Sequence, residues 1–255
     1  VLEQLQKQLR ELSLHAERYG PVLKLQSNGI PIAMAGHSHA RLSHAVYKSD
    51  GASGYLAKQA TFMRHLGEKI CPKIIAVNDS GYCMEYLHPV VYHQFLGCIV
   101  EEILDHHVWG RRPPPYIPWK DELVTSIKIS REMLEEFSQG QDYCLIHGDA
   151  TFDNALIAKD GSYRMTDPIP PLYLTRPSIK AVDHGRILQS ILGWEVVLRG
   201  SPLIAYEWPK FMQEEKSARA AIFWCFVVLR RIALKDISDT GKWAMLISEE
   251  LKCML

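Results

Sequence analysis

Cys144-Leu-Ile-His-Gly-Asp-Ala-Thr-Phe-Asp-Asn-Ala-Leu-Ile157 is followed by a lone carboxylate in Arg164-Met-Thr-Asp-Pro168. A short apolar run ends at His147-Gly148-Asp149, four residues intervene before Asn154, and a second apolar run leads through Lys159-Asp160-Gly161 to Asp167. Ala155 to Ala158 and Ser162 to Thr166 are predicted as the two strands of a hairpin, with Asp160-Gly161 as its tight turn. Such a hairpin brings Asn154 and Asp167 to the same end.

The spacing suits phosphoryl transfer. That reaction asks a protein to hold a cation among phosphate oxygens and to orient an acceptor hydroxyl. Asp149 is placed to receive or orient the hydroxyl proton. The Asn154 amide oxygen and the Asp167 carboxylate are hard donors of the kind Mg²⁺ prefers. His147 and Asp149 alone could be an ordinary turn or a metal pair. The combination of strand, loop, Asn, hairpin and second Asp is what gives the pattern its weight.

At 255 residues the chain can build one large core or two lobes. Lys plus Arg and Asp plus Glu number 29 each, so net charge offers no case for nucleic acid or an acidic membrane as partner. The six cysteines lack a Cys-x-x-Cys pair, which predicts a reduced, cytoplasmic chain. His37-x-His39 and His106-His107 come without partner ligands and are read as non-metal. The longest apolar run, Ala220 to Leu229, is half a membrane span and predicts a buried helix.

Leu2, Leu5, Leu9 and Leu12 recur at helical spacing and stop at Tyr19-Gly20-Pro21. Val22 to Leu25, Ile30 to Met34 and Leu42 to Tyr47 predict short antiparallel strands, and Leu56 to Leu66 a helix. Lys73 to Asn78 and Tyr82 to Leu87 form a further strand pair around Asp79-Ser80-Gly81. Beyond His88-Pro89 helices take over: Phe95 to Trp109, then Asp121 to Gln139 after the rigid Arg111 to Pro115, then Ala181 onward with breaks at Pro202 and Pro209. The expected organisation is an α+β, two-lobed chain. Residues 1–87 form a small antiparallel β-rich nucleotide-binding lobe with a leading amphipathic helix, and 88–255 a larger helical lobe with the catalytic loop and acceptor site. A ligand is expected in the cleft between them.

This order, together with His147-Gly-Asp-Ala-Thr-Phe-Asp-Asn154, resembles the aminoglycoside phosphotransferase and choline kinase branch of the protein-kinase-like fold. Glycine after His147 favours that branch over protein kinases, which usually carry Arg there. The resemblance runs from about Ile30 to Trp194, with its specific motifs in the catalytic segment. It implies an ATP- and Mg²⁺-dependent small-molecule kinase, with GTP as the other nucleotide. Asp149 would be catalytic, Asn154 and Asp167 would bind metal, and His147 and Asp183 would brace the loop. Glu85, Tyr86 and Leu87 would form the adenine hinge, although a strand end accounts for them equally well. Lys48 is preferred over Lys58 for positioning phosphates, and Ser38 stands in a phosphate loop, Ala35 to Ala40, that has one glycine. Gln59 replaces the Glu that normally pairs the lysine, and would hydrogen-bond the ammonium instead.

The acceptor implied by the resemblance is a small polar molecule. Glu101, Glu102 and Asp105 would suit an aminoglycoside but read better as a solvated helix face. Tyr206, Trp208 and Phe211 would suit a choline-like cation but read better as core. A sugar-like hydroxyl is favoured. The alternative class is a pseudokinase, a nucleotide-binding or scaffold protein without turnover. A protein kinase fits less well, because Asp183 stands only sixteen positions after Asp167.

Overall fold

A computed structural model describes residues 1–18, 38–42, 45–49, 54–105, 120–138, 143–170 and 178–255. The chain forms two compact units. One comprises Val1–Leu23, Tyr92–Phe152 and Thr175–Leu255; the other comprises Lys24–Val91 and Asp153–Leu174. Relative to the expected lobes 1–87 and 88–255, the leading segment joins the helical unit and residues 153–174 join the β-rich one.

The β-rich unit holds a four-stranded antiparallel sheet of order β1-β2-β4-β3, from β1 (Ser38–Leu42), β2 (Ala45–Ser49), β3 (Ile74–Asn78) and β4 (Gly81–Glu85). Leu42 pairs directly with Ala45, so the stretch expected as one strand over 42–47 is divided between β1 and β2. Helix α2 (Tyr55–Leu66) buries Leu56, Gln59, Ala60, Phe62, Met63 and Leu66. Strand β5 (His88–Pro89) pairs with β7 (Ala155–Ile157), which pairs with β8 (Tyr163–Met165). Gly161, at φ 81°, donates its N–H to the Ala158 carbonyl at 3.0 Å and closes the expected hairpin. The expected strands over 22–25 and 30–34, and residues 35–37 of the phosphate loop, lie outside the described residues.

The helical unit opens with α1 (Leu2–Ser13), whose Leu5, Leu9 and Leu12 are buried, followed by a 3₁₀ turn at Leu14–Arg18. Helix α3 covers Leu96–Leu104; the rest of the stretch expected to be helical to 109, the 111–115 connector and Gly140 fall largely or wholly outside the described residues. The single helix expected over 121–139 is two, α4 (Lys120–Thr125) and α5 (Arg131–Ser138). Lys128 stands at φ 61°, and the Ser130 hydroxyl accepts the Met133 N–H at 3.1 Å, which starts a new helix in place of continuing the old one. Strands β6 (Tyr143–Cys144) and β9 (Ser178–Ile179) pair antiparallel.

Helices α6 (Ala181–Ile191), α7 (Trp194–Arg199), α8 (Glu215–Lys235) and α9 (Asp239–Cys253) complete this unit, with a 3₁₀ turn at Lys210–Gln213. Ala220 to Leu229 is buried throughout, as its composition requires, and α8 packs against both α6 and α9. Gly185 makes the first packing possible. A Cβ there would stand 2.7 Å from the Cys225 nitrogen. No helix among the described residues is long and apolar enough to cross a membrane, and all six cysteines are free thiols.

Candidate active site

In the helical unit, the loop after β6 carries His147, Gly148 and Asp149. Gly148 adopts φ 81°, a left-handed backbone that a side chain would strain, so glycine after His147 has a local conformational reason. The Asp183 carboxylate, on the first turn of α6, accepts both adjacent amides: His147 N–H to Oδ2 and Gly148 N–H to Oδ1, each at 2.7 Å. Burial pushes the Asp183 carboxyl up to about 6, while the two amide donors and Arg186 pull it down and Asp149 adds to the rise. His147 is fully buried, and its Nδ1 accepts the Asp149 N–H at 3.3 Å.

Arg186, one turn along α6 from Asp183, was not singled out from the sequence. Its Nε donates to the Gly148 carbonyl at 3.2 Å and its guanidinium lies 3.4 Å from Asp149 Oδ1. Asp149 itself is one-third exposed. The far end of the loop is held the same way. Phe152 N–H reaches Ser190 Oγ at 3.0 Å and Glu195 Oε1 at 3.2 Å, and Ser190 donates to Glu195 at 2.7 Å. Asp183, Arg186 and Ser190 recur at helical spacing on a helix that is buried along its whole length. The recurrence of Arg186 and Ser190 on the same helical face as Asp183 is the signal that could have found them.

In the β-rich unit, Lys48 of β2 pairs in register with Tyr82 of β4. Directly opposite residues share a face of an antiparallel sheet, and this face is the buried one, with Lys48 4% and Tyr82 0% exposed. The Lys48 ammonium forms an ion pair with Asp167 Oδ1. Tyr82 donates its hydroxyl to Gln59 Oε1 at 3.0 Å and also lies 3.4 Å from Asp167 Oδ1. Burial first, then Asp167, holds the Tyr82 hydroxyl well above the usual tyrosine range, so it stays a donor. Asp167 stands at φ 60°, a backbone that non-glycine residues seldom adopt.

Gln59 does not hydrogen-bond the Lys48 ammonium as expected. Its Oε1 accepts from Tyr82 and its Nε2 donates to the Pro168 carbonyl at 3.0 Å, while the ammonium goes to the charged Asp167. A carboxylate outcompetes a neutral amide for a buried cation. Lys58 is exposed on α2. The Asn154 carbonyl accepts the Thr166 N–H at 2.8 Å, so the hairpin sets Asn154 beside the residue that precedes Asp167. Among the described residues no three His, Cys, Asp or Glu side chains gather as a metal cage. Two oxygen donors, one a neutral amide, nevertheless suit Mg²⁺, which keeps waters and takes phosphate oxygens for the rest of its shell.

Ser38 opens β1 opposite Ser49. Glu85 ends β4, where its carboxylate accepts the Lys73 N–H at 2.8 Å; Tyr86 meets the His88 ring edge-on at 5.1 Å, and Leu87 is buried. The two acceptor-site candidates are used in packing. Glu101, read as solvated, is buried and accepts the Lys210 and Phe211 amides at 2.6 and 3.0 Å, with burial raising its carboxyl. Glu102 is exposed and Asp105 pairs with Lys180. Phe211 stacks on His184 at 4.2 Å, Tyr206 packs on Phe152 at 5.0 Å, and Arg10 lies over Trp208 at 5.6 Å.

No protein-family profile matches the sequence, and no curated protein matches it by sequence. Solved structures do match. A choline/ethanolamine kinase family protein from Mesorhizobium loti superposes with a TM-score of 0.52 at 10% identity, covering 90% of this chain and 89% of that one. The GDP complex of aminoglycoside 2'-phosphotransferase-IIIa gives 0.53 at 12% identity, covering 95% and 99%. The chain therefore has the fold of the small-molecule kinases.

Proposed function

We propose that this protein is a phosphotransferase that uses ATP and Mg²⁺ to phosphorylate a hydroxyl of a small polar, sugar-like metabolite. The observation that carries the reading is the ion pair between Lys48 and Asp167. These residues are 119 positions apart, and the sequence reading gave Lys48 to the phosphates and Asp167 to the metal that would bridge them. In the proposed reaction the acceptor oxygen forms a bond to the γ-phosphorus as the bond to the β–γ bridging oxygen breaks, and the hydroxyl proton passes to Asp149. Lys48 balances phosphate charge, and Glu85, Tyr86 and Leu87 supply the adenine hinge. Asn154 and Asp167 would hold Mg²⁺, which when bound neutralises charge on the phosphate oxygens. Asp183 and Arg186 keep the Asp149 loop in one geometry. Free cysteines throughout support a reducing, cytoplasmic setting.

A second reading, a nucleotide-binding protein without turnover, is favoured by one observation: the α2 residue expected to pair Lys48 is a neutral Gln59, and it engages Tyr82 and the Pro168 carbonyl instead. Thermal stability with ATP or GTP, each with Mg²⁺ and with chelator, tests the first requirement of both readings. GTP belongs in the test because a structural neighbour was solved with GDP. A Mg²⁺-dependent rise with conversion of nucleotide to diphosphate supports the enzyme. A rise without conversion under any acceptor supports the second reading, and no rise with either nucleotide removes both.

A further inference from the structure

On α2, Leu56, Ala60, Phe62, Met63 and Leu66 are buried, and Gln59 is buried among them. A polar side chain on such a face needs partners for both ends of its amide. Gln59 has them. Its Nε2 donates to the Pro168 carbonyl at 3.0 Å and its Oε1 accepts the Tyr82 hydroxyl at 3.0 Å. The carbonyl can only accept, so it fixes which end of the amide faces it and, through the amide, the direction in which Tyr82 donates. All of these groups belong to the β-rich unit.

Pro168 directly follows Asp167, where the backbone is unusual. Asp167 stands at φ 60°, a conformation that persists in a non-glycine residue when its surroundings over-determine it. On one side the Thr166 N–H is held by the Asn154 carbonyl at 2.8 Å. On the other, proline offers no N–H, so its carbonyl is the handle by which the backbone can be gripped, and Gln59 grips it. Tyr82, the second partner of Gln59, stands 3.4 Å from Asp167 Oδ1, the oxygen that pairs with Lys48. One amide therefore fastens both the backbone after Asp167 and the side chain beside its carboxylate.

We propose that Gln59 is a positioning residue for Asp167, and through it for the Mg²⁺ that accompanies the nucleotide, in place of the lysine-pairing role that an acid at this point of α2 would have. This deepens the proposed phosphotransfer site and rests on it. The chemistry explains why the residue is glutamine. An amide both donates and accepts, whereas an ionised Glu only accepts. Glutamate could keep the Tyr82 bond, but it would set an oxygen against the Pro168 carbonyl and release the turn that carries the metal carboxylate.

The test measures ATP and GTP binding by calorimetry at about pH 8, where a Glu is ionised, with Mg²⁺ and with EDTA. Wild type is compared with Gln59→Glu and Gln59→Met. Methionine fills similar space, removes both hydrogen bonds and puts no charge in the core, so it carries the test where Gln59→Glu folds poorly. Both variants should weaken Mg²⁺-dependent nucleotide affinity about tenfold, as loss of the support behind a metal ligand does, and change affinity in EDTA by less than about twofold.

If Gln59 merely stood in for a lysine-pairing acid, Gln59→Glu would bind the Mg²⁺ nucleotide as tightly as wild type or more tightly, and that result overturns the proposal. Equal losses in Mg²⁺ and in EDTA also overturn it, since the substitution would then act on the fold or on Lys48 rather than on the metal carboxylate. Wild type that binds neither nucleotide in a Mg²⁺-dependent way removes the phosphotransfer site and this role together. Mg²⁺-dependent binding that neither variant alters removes the role alone.

Discussion

Asp183 binds the loop through two backbone amides rather than a side chain, so its effect on Asp149 is one of backbone geometry. Its carboxyl titrates near 6 in the folded chain against an ordinary 3.8, with burial the main cause. The folded state thus keeps a proton that the unfolded chain has released. Its contribution to stability is full below 3.8 and is lost as pH rises through about 6, roughly 3 kcal/mol in all. Asp183→Asn removes this titration. Urea unfolding at pH 4 and pH 7 should show the difference between wild type and variant shrinking by about 2 kcal/mol, since the unfolded carboxyl is already partly ionised at pH 4; a pH-independent difference would refute it. Asp149→Asn should lower kcat by about 10²-fold or more with nucleotide affinity nearly retained, because a neutral amide is a poor proton acceptor. Unaltered kcat would end the role proposed for Asp149. Candidate-site residues within 144–167 were legible because turn and strand spacing are local. Arg186, Tyr82, Ser190 and Glu195 were not, since each reaches the site through a helix or strand packed from elsewhere in the chain.

Between elements, the approach of α6 to α8 depends on the absence of a side chain at Gly185. Its Cβ would also stand 2.8 Å from the Trp224 carbonyl carbon, so the neighbouring backbone would have to yield. Gly185→Ala should cost about 1–3 kcal/mol and lower the melting temperature by about 3–10 °C. An unchanged melting temperature would mean the helices are not this close. Several elements could be read from periodicity and turn residues: α1, α2, the β3–β4 pair, the 155–166 hairpin and the buried α8. The misreadings share a cause. Apolar residues lie on both sides of the Ser126 to Ser130 break, and apolar Leu42 ends β1 where Ala45 begins β2, so apolar composition continues where one element ends and the next begins. Hydrogen bonding decided both cases, through Leu42 opposite Ala45 and through the Ser130 hydroxyl on Met133 N–H.

At the scale of the molecule, each unit is assembled from segments distant in sequence. Helix α1 is the extreme case. Gln6 donates its amide to the Met212 carbonyl at 3.0 Å across 206 positions, and Leu9 is fully buried. Leu9→Ala should destabilise the helical unit by about 2–5 kcal/mol, as a cavity in its core would. Chemical denaturation giving less than half a kcal/mol would show that α1 is peripheral. The same pairing has a consequence during synthesis. At about 5–20 residues per second, α1 leaves the ribosome some 10–40 s before the turn at Lys210–Gln213 exists to receive it. For that interval its leucine stripe is an unsheltered surface on a nascent chain, a natural station for a chaperone.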